Sequence, residues 1–506
     1  MCITMAETSK YVLGLDAGNT VIKAVLFGLK GNQIALCALD GHSTTPEPGH
    51  VERDLNELWA NAQQAIRGCI DKAGISPEQI VGVGCAGHGN GLYLLDQEGA
   101  PLIGIQSLDT RAAGLATELS QQVGAQLHAL CLQKPWPSQT PTLLAWVKQN
   151  QPDVYARIGT VLLCKDFITY KLTGRRVSDQ SDMSGAGLTR MPDCCYDDEL
   201  LALYGLSDAR DLLPDLLESS DIVGGLSDAA ASTTGLAAGT PVIAGYFDVV
   251  SSALGSGVVT AGEASIIVGT WGVNQVFSKE PVRDDSVFMV TGFGPERFVN
   301  IESSATSAAN LEWYVREFVE RGGHHDAPFD FCNDRLGEVT PRLDDPFYHP
   351  FLYGARLGAD YRAGFYGLAG WHTEGNMLRA LFEGVMFEHK RHISVLKKAG
   401  ASFNHAVLSG GGARSPHWPQ MFSDCLNVPI TVAQAQETGA LGAAIGAGVA
   451  TGNFPDYEAA VSAMTRPARN YKPDPSKRDF YEKRYAAWLD LTERMRGFWS
   501  NLNDAS

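Results

Sequence analysis

No C-x-x-C pair occurs among the ten cysteines of this chain, which removes the usual thiol framework for a structural zinc or a dithiol redox centre. Cys2, Cys37, Cys69, Cys85, Cys131, Cys164, Cys194, Cys195, Cys332 and Cys425 are scattered and read as reduced, mostly packed thiols. The adjacent Cys194 and Cys195 admit a redox switch or two loop thiols; with no basic neighbour to activate a thiolate they are assigned no role. Positive charge is scarce as well. With 40 Lys and Arg against 57 Asp and Glu, the formal charge of -17 opposes unspecific attraction to nucleic acid or anionic lipid. A phosphate ligand would need local donors or a metal ion. The opening MCITMAETSK lacks the apolar core of a secretory signal, and the longest small and apolar tract, TGALGAAIGAGVATG at 438–452, is too short and glycine-rich to cross a bilayer. No G-x-x-x-x-G-K-[ST] is present, which excludes a standard P-loop. These absences predict a cytoplasmic protein with neither nucleic acid nor membrane as partner.

At 506 residues the chain exceeds what one core normally serves, so two domains are expected. YVLGLDAGNTVIKAVLF, at 11–27, reads as strand, tight turn, strand, with Asp16 ending the first limb. A third strand is expected near NQIALCALD. In LNELWANAQQAIRGCIDKAG, residues Leu55, Leu58, Ala62, Ala65, Ile66 and Cys69 keep a helical apolar stripe and Gly74 stands beyond it as a stop signal. QIVGVGCAG is then a buried strand, so the class is α/β. ASIIVGTWGVNQVFS, at 264–278, repeats the strand, turn, strand design of the opening, which predicts that each half of the chain starts with the same unit. The later half continues with strand HAVLSGGG, helix SPHWPQMFSDCLN, strand VPITVAQ and helix TGALGAAIGAGVA, and closes on the helix RDFYEKRYAAWLDLTERMRGFWSNL. The expected boundary is residue 255, after SSALGSG, with Gly255 and Gly257 as a hinge.

Four stretches carry candidate chemistry. In the opening turn, Gly14, Ala17 and Gly18 allow a tight fold with exposed amides, Asn19 and Thr20 add side-chain donors, and Lys23 follows, a set that suits a polyphosphate. Asp16 is then either a magnesium anchor or a residue bonded to its own turn. VGTWG offers Gly269 and Thr270 at the matching place of the second hairpin. SGGGARS, at 409–415, ends a strand with three glycines, and this bare backbone either receives a flat base or ribose or is a plain turn. Asp248, in PVIAGYFDVVSSALGSG, sits where a strand yields to a helix and is either a proton acceptor for an attacking hydroxyl or an N-cap. His88 and Asp109, near strand ends, are either readers of sugar hydroxyls or structural residues. GVGCAG, at 82–87, matches G-x-G-x-x-G, but the extended HGNGLYLLDQEGAPL follows where a dinucleotide site would open a helix. His324 with His325, and Trp371 with His372, lack a third ligand at metal spacing and read as surface or packing residues.

Taken together these segments resemble the FGGY carbohydrate kinases nearly end to end. GLDAGNTVIKA is similar to that family's first phosphate motif, GHGNGLYLLDQEGAPLIGIQSLDTRA to its sugar-side segment, and AGYFDVV to its catalytic aspartate segment. GTWG is similar to the second phosphate motif, SGGGARSPHWPQMFSDCLNVPITV and ETGALGAA to the adenosine region, and RAGFYGLAGWHTEGNMLRALFEGVMFEHKR to the C-terminal signature. The resemblance implies two actin-like ATPase (ribonuclease H-like) domains with an inter-domain cleft: 1–255 sugar-binding, 256–506 nucleotide-binding. It implies ATP and Mg2+ as cofactors and a small-molecule sugar as partner, with a homodimer as the assembly. Asp248 would accept the proton and Asp16 would serve the metal. Asn19, Thr20, Lys23, Gly269 and Thr270 would serve the phosphates, and Gly411, Gly412 and Ser415 the adenosine. His88, Asp109 and Phe247 would lie on the sugar side with Asp248. Within the family the segments favour a ketopentose, L-xylulose before D-xylulose, ahead of a polyol such as erythritol or glycerol. A non-catalytic, sugar-responsive ATPase switch is the rival of another class.

Overall fold

The computed structural model describes residues 9–323, 326–357 and 361–503, so Cys2 and the pair His324 and His325 lie outside the described residues. The chain forms two compact units. One runs to Ala261 and also takes in Phe277–Asn300 and Glu437–Arg466, while the other comprises Gly262–Val276, Ile301–Gln436 and the chain from Pro467 onward.

The first unit is organised by the hairpin expected at its start. Strand Tyr11–Ala17 runs antiparallel to Val21–Gly28, with Asp16 opposite Lys23, and parallel to Ile80–Gly87 on its other side. Gln33–Asp40 extends the sheet beyond Val21–Gly28; Pro241–Ile243 and Ile222–Gly225 extend it beyond Ile80–Gly87. Helix Leu55–Ala73 covers one face. Its N-cap Asp54 accepts from the amides of Asn56 and Glu57, Gly74 closes it at φ 62°, and the expected stripe from Leu55 to Cys69 is buried against Leu13, Leu15 and Ile22. After Ile80–Gly87 the chain continues as strand Leu92–Asp96, and no helix opens there, which removes the dinucleotide reading of GVGCAG.

The second unit repeats this design. Glu263–Val268 pairs antiparallel with Gly272–Ser278 and parallel with His405–Ser409. Ile430–Ala433 continues the sheet in parallel and Pro467–Tyr471 closes it antiparallel. The helix expected from Ser415 starts later, at Trp418, because Gly411–Arg414 forms a single 3-10 turn first. Trp371 is 74% exposed, in keeping with a surface role.

Each of the two compact units is built from separated stretches of the chain. Gly255 lies inside helix Asp248–Ser256, and Gly257 ends that helix at φ 105°, so the expected hinge is a helix terminus. The helix Thr438–Ala450, late in sequence, belongs with the first unit. Its small residues let backbones meet: a Cβ on Gly14 would lie 1.9 Å from the Ala440 carbonyl oxygen, and one on Gly442 would lie 1.8 Å from that of Ser251. The Ser251 hydroxyl also donates to the Gly439 carbonyl at 2.7 Å. Among the described residues no helix is long and apolar enough to cross a membrane, and the nine described cysteines are free. Burial pushes the Cys194 thiol up to about 12, which disfavours a thiolate at that residue.

This packing predicts that Gly442→Ala destabilises the protein by about 1–3 kcal/mol, the usual range for overpacking. Gly114→Ala, whose added methyl meets nothing within 4 Å in an exposed helix, is the matched control and stays neutral or gains stability. Denaturant unfolding midpoints of the two variants check the difference.

Candidate active site

The opening turn is closed by the Gly18 amide, which donates to the Val21 carbonyl at 3.0 Å. Asp16 ends its strand there. Burial lifts its carboxyl to about 6, with the charge of Lys23 opposing and that of Glu437 adding to the rise. Lys23 is itself bonded to Glu437 at 2.7 Å, so its ammonium is shared with the start of the small-residue helix. Asn19 donates through its side-chain amide to the Ser107 hydroxyl at 3.0 Å, and its carbonyl accepts from Gln106 at 2.7 Å. Thr20 stands exposed at the tip.

Asp248 is the first residue of helix Asp248–Ser256, and Phe247 occupies the cap position without a side-chain cap bond, so Asp248 is not the N-cap. Burial raises the Asp248 carboxyl to about 8, the charge of Asp16 adds to this, and the Val249 amide works against it. Two carboxylates in electrostatic reach of each other, with Lys23 already paired, make a centre short of positive charge. Among the described residues no group of three or more His, Cys, Asp or Glu side chains forms a metal cage. That donor set fits a hard cation held by a single carboxylate and completed by phosphate oxygens and water.

On the expected sugar side, His88 is buried and its Nε2 lies 2.7 Å from the Tyr93 hydroxyl. Burial drops its pKa to about 4, so the ring is neutral at physiological pH. Asp109 is 1% exposed and accepts from the Val51 amide at 2.6 Å, the Arg111 amide at 2.8 Å and Arg111 Nε at 3.0 Å. Arg111 in turn donates to Glu52 at 2.7 Å, so Asp109 is engaged in an internal ion-pair chain. Phe247 packs its ring over Gly89, where an added Cβ would lie 2.4 Å from the ring.

Two residues here escaped the sequence reading. Asn90 sits at φ 62°, is 2% exposed, and its Oδ1 has no hydrogen-bond partner among the described residues. The dipeptide Asn-Gly at 90–91 was the available signal. Arg53 is 2% exposed and donates to the Gly18 carbonyl at 3.1 Å, which sets a guanidinium beneath the first turn. Nothing in its local pattern marks it, because burial of an arginine is a tertiary property.

In the second unit the two remaining glycine motifs meet. Gly269, Thr270, Gly411, Gly412 and Ser415 line one cavity of about 710 Å³, with Phe329 and Trp418 as apolar walls. The Gly269 carbonyl accepts from the Ala308 amide at 2.8 Å. Ser415 donates to Asn333 at 2.8 Å and accepts from the His417 amide at 3.1 Å, so its hydroxyl orients the cavity wall. Gly410 reverses the chain at φ 86°, and a Cβ on Gly412 would lie 2.4 Å from Val268 Cγ1. A concave site of this volume, with bare glycine backbone, apolar walls and polar side chains such as Asn333 and Ser415, suits a nucleoside.

Hairpin-led α/β units in duplicate, with glycine turns at the strand ends, define the actin-like ATPase class. Residues 11–255 match the N-terminal domain, and residues 264–451 the C-terminal domain, of the FGGY family of carbohydrate kinases. The chain belongs to that family, whose members transfer a phosphoryl group from ATP to a sugar. It is 33% identical over 500 residues to the L-xylulose/3-keto-L-gulonate kinase of Escherichia coli (strain K12), covering 98% of this chain and 99% of that one. It is 33% identical over 490 residues to a probable L-xylulose kinase of Pasteurella multocida, covering 96% and 99%. The crystal structure of xylulose kinase from Rhodospirillum rubrum superposes with a TM-score of 0.89 at 26% identity, covering 97% of this chain and all of that one.

The raised carboxylates make a signed prediction. Asp248 binds its proton more tightly folded than unfolded, so its contribution to stability is complete below the unfolded value near 4 and is lost as pH rises through about 8. Asp248→Asn removes that loss. In the absence of nucleotide and metal, the thermal midpoint of the variant therefore gains on that of the wild type between pH 5 and pH 9; a gap that stays constant with pH contradicts the assignment.

Proposed function

We propose that this enzyme phosphorylates a ketopentose, L-xylulose ahead of D-xylulose, with Asp248 as proton acceptor. The observation that carries the reading is the placement of Asp248: first residue of a helix, half-buried, and in electrostatic reach of Asp16 near the end of the opening strand. As the sugar hydroxyl oxygen forms its bond to the γ-phosphorus, the bond from that phosphorus to the β-phosphate bridging oxygen breaks. The hydroxyl proton passes to the Asp248 carboxylate, and sugar phosphate and ADP leave. Mg2+ held by Asp16 and the phosphates would supply the positive charge that the two carboxylates lack. Gly18, Asn19 and Thr20 hold phosphate oxygens at the first turn, with Lys23 and the buried Arg53 adding positive charge near it, while Gly269 and Thr270 serve the second. Gly411, Gly412 and Ser415 receive the adenosine. His88, Asn90 and Phe247 shape the sugar side, and Asp109 orients Arg111 behind them.

The preference for a ketopentose draws on the names of the two 33% identical relatives, both called L-xylulose kinases. Polyols such as erythritol and glycerol rank below it. Nine free cysteines among the described residues accord with a cytoplasmic enzyme, and the homodimer suggested by the family resemblance is part of the proposal.

A coupled assay of ADP release with L-xylulose, D-xylulose, 3-keto-L-gulonate, erythritol and glycerol, followed by NMR of the product, tests the substrate class. L-xylulose is expected to give the highest kcat/KM; a polyol or the keto-acid exceeding both pentuloses overturns the choice. In the same assay Asp248→Asn is expected to lower turnover by about 10² to 10⁴-fold, the range for loss of a general base, with ATP affinity retained. Near-normal turnover removes Asp248 from the chemistry.

A further inference from the structure

Behind Asp248 lies a set of fully buried charges that the reaction as described does not use. Lys165, at the start of helix Cys164–Thr173, contacts Asp166, lies 2.8 Å from Asp179 and lies 3.5 Å from Asp182, and all four side chains are shielded from solvent. One cation among three carboxyls cannot balance them in a dry interior. Burial pushes the Asp182 carboxyl well above the ordinary carboxylate range despite Lys165, and its two oxygens have no hydrogen-bond partner among the described residues. Such an arrangement is expensive to bury and contributes little net stability.

Asp179 is the hub. It ends strand Val177–Asp179 and caps the following helix, accepting from the Ser181 amide at 2.7 Å and the Ser181 hydroxyl at 2.5 Å. The Ser219 hydroxyl donates to the same oxygen at 2.5 Å. Both serines thereby spend their hydroxyl proton on Asp179, and both use an oxygen to take an amide from the segment that delivers Asp248. The Ser181 hydroxyl accepts from the Phe247 amide at 2.9 Å. The Ser219 carbonyl accepts from the Gly245 amide at 2.9 Å. Gly245 itself turns at φ 90° against the Cys85 carbonyl, and Tyr246 and Phe247 then run parallel to Ala86 and Gly87. The backbone on either side of the turn is therefore tied to one carboxylate, which Lys165 holds in place.

We propose that Lys165, Asp179, Ser181 and Ser219 form a positioning relay that fixes the strand-to-helix turn at Gly245–Phe247 and so sets where the Asp248 carboxyl stands. Ser181 is the most exposing link to break, since its hydroxyl alone joins the Asp179 carboxylate to the Phe247 amide. The relay acts on the reacting group through backbone and touches neither sugar nor nucleotide. Its loss should thus appear in kcat and not in nucleotide binding. This inference rests on Asp248 being the proton acceptor.

The experiment compares Ser181→Ala, Ser181→Thr, Ser219→Ala and Asp248→Asn in the full-length enzyme with ATP and the best sugar of the panel. Ser181→Ala is expected to lower kcat by about 10- to 100-fold, the penalty for a reacting group misplaced by about 1 Å, with the KM for ATP within about twofold of wild type. Ser181→Thr, which keeps the hydroxyl, restores most of kcat. Ser219→Ala, which keeps its carbonyl, gives a smaller loss in the same direction and reads the relay independently should Ser181→Ala fold poorly. Wild-type kcat in both alanine variants, a loss shared equally by kcat and ATP affinity, or a threonine variant no better than alanine overturns the relay. Asp248→Asn separates the two claims. Near-normal turnover in that variant ends both, whereas a large loss there beside full turnover in the serine variants removes the relay alone.

Discussion

The arrangement turns on one electrostatic conflict: Asp16 and Asp248, both half-buried, are brought into each other's reach. Each carboxyl is raised, to about 6 and about 8, and burial is the larger cause in both. The nearest lysine does not resolve the conflict, because Lys23 is paired with Glu437. A protein that held such a pair for stability alone would gain nothing from it. In the proposed reaction the conflict would have a use where a cation and a transferring phosphoryl group arrive together, the pair then serving as metal anchor and proton acceptor.

Holding the two carboxyls together requires backbones to approach more closely than side chains normally permit. The helix Thr438–Ala450 does this with glycine and alanine, meeting the strand of Asp16 at Gly14 and the helix of Asp248 at Ser251. Glu437, just before that helix, pairs with Lys23 at 2.7 Å. One small-residue helix from the late part of the chain therefore spaces the opening strand against the Asp248 helix. On the opposite side of Asp248 the carboxylate of Asp179 holds the preceding turn through two serines. Geometry at Asp248 is thus determined from two directions, by packing and by hydrogen bonds.

Local pattern carried much of this in the sequence. Alternation around Asp16 and again around Gly269 defined both hairpins, and the apolar stripe from Leu55 to Cys69 with Gly74 beyond it defined a helix whose ends the structure matches. The three glycines at 410–412 and the turn at 269–270 pointed to a bare surface, and Gly411, Gly412, Gly269 and Thr270 line a single cavity. What the sequence concealed depends on contacts between distant segments. The tract 438–452 is uniformly small and apolar, so its pattern gives no face and no partner, and only the folded chain shows it packed against Gly14 and Ser251. Asp109 looks like a polar residue offered to a ligand until Arg111 and Val51 are seen to occupy it. Arg53 and Asp182 are charged residues that composition places outside, and only tertiary structure shows them buried.

The central claim, that Asp248 is held as a high-pKa carboxyl beside Asp16, is tested most directly by NMR titration of the aspartate side-chain carboxyl carbons in enzyme free of nucleotide and metal. With Asp248→Asn used to assign the resonance, the account predicts a carboxyl titrating near 8 that belongs to residue 248, and a downward shift of its midpoint when ATP and Mg2+ are added. A residue 248 carboxyl already ionised near 4 in the free enzyme, with no response to nucleotide and metal, contradicts it.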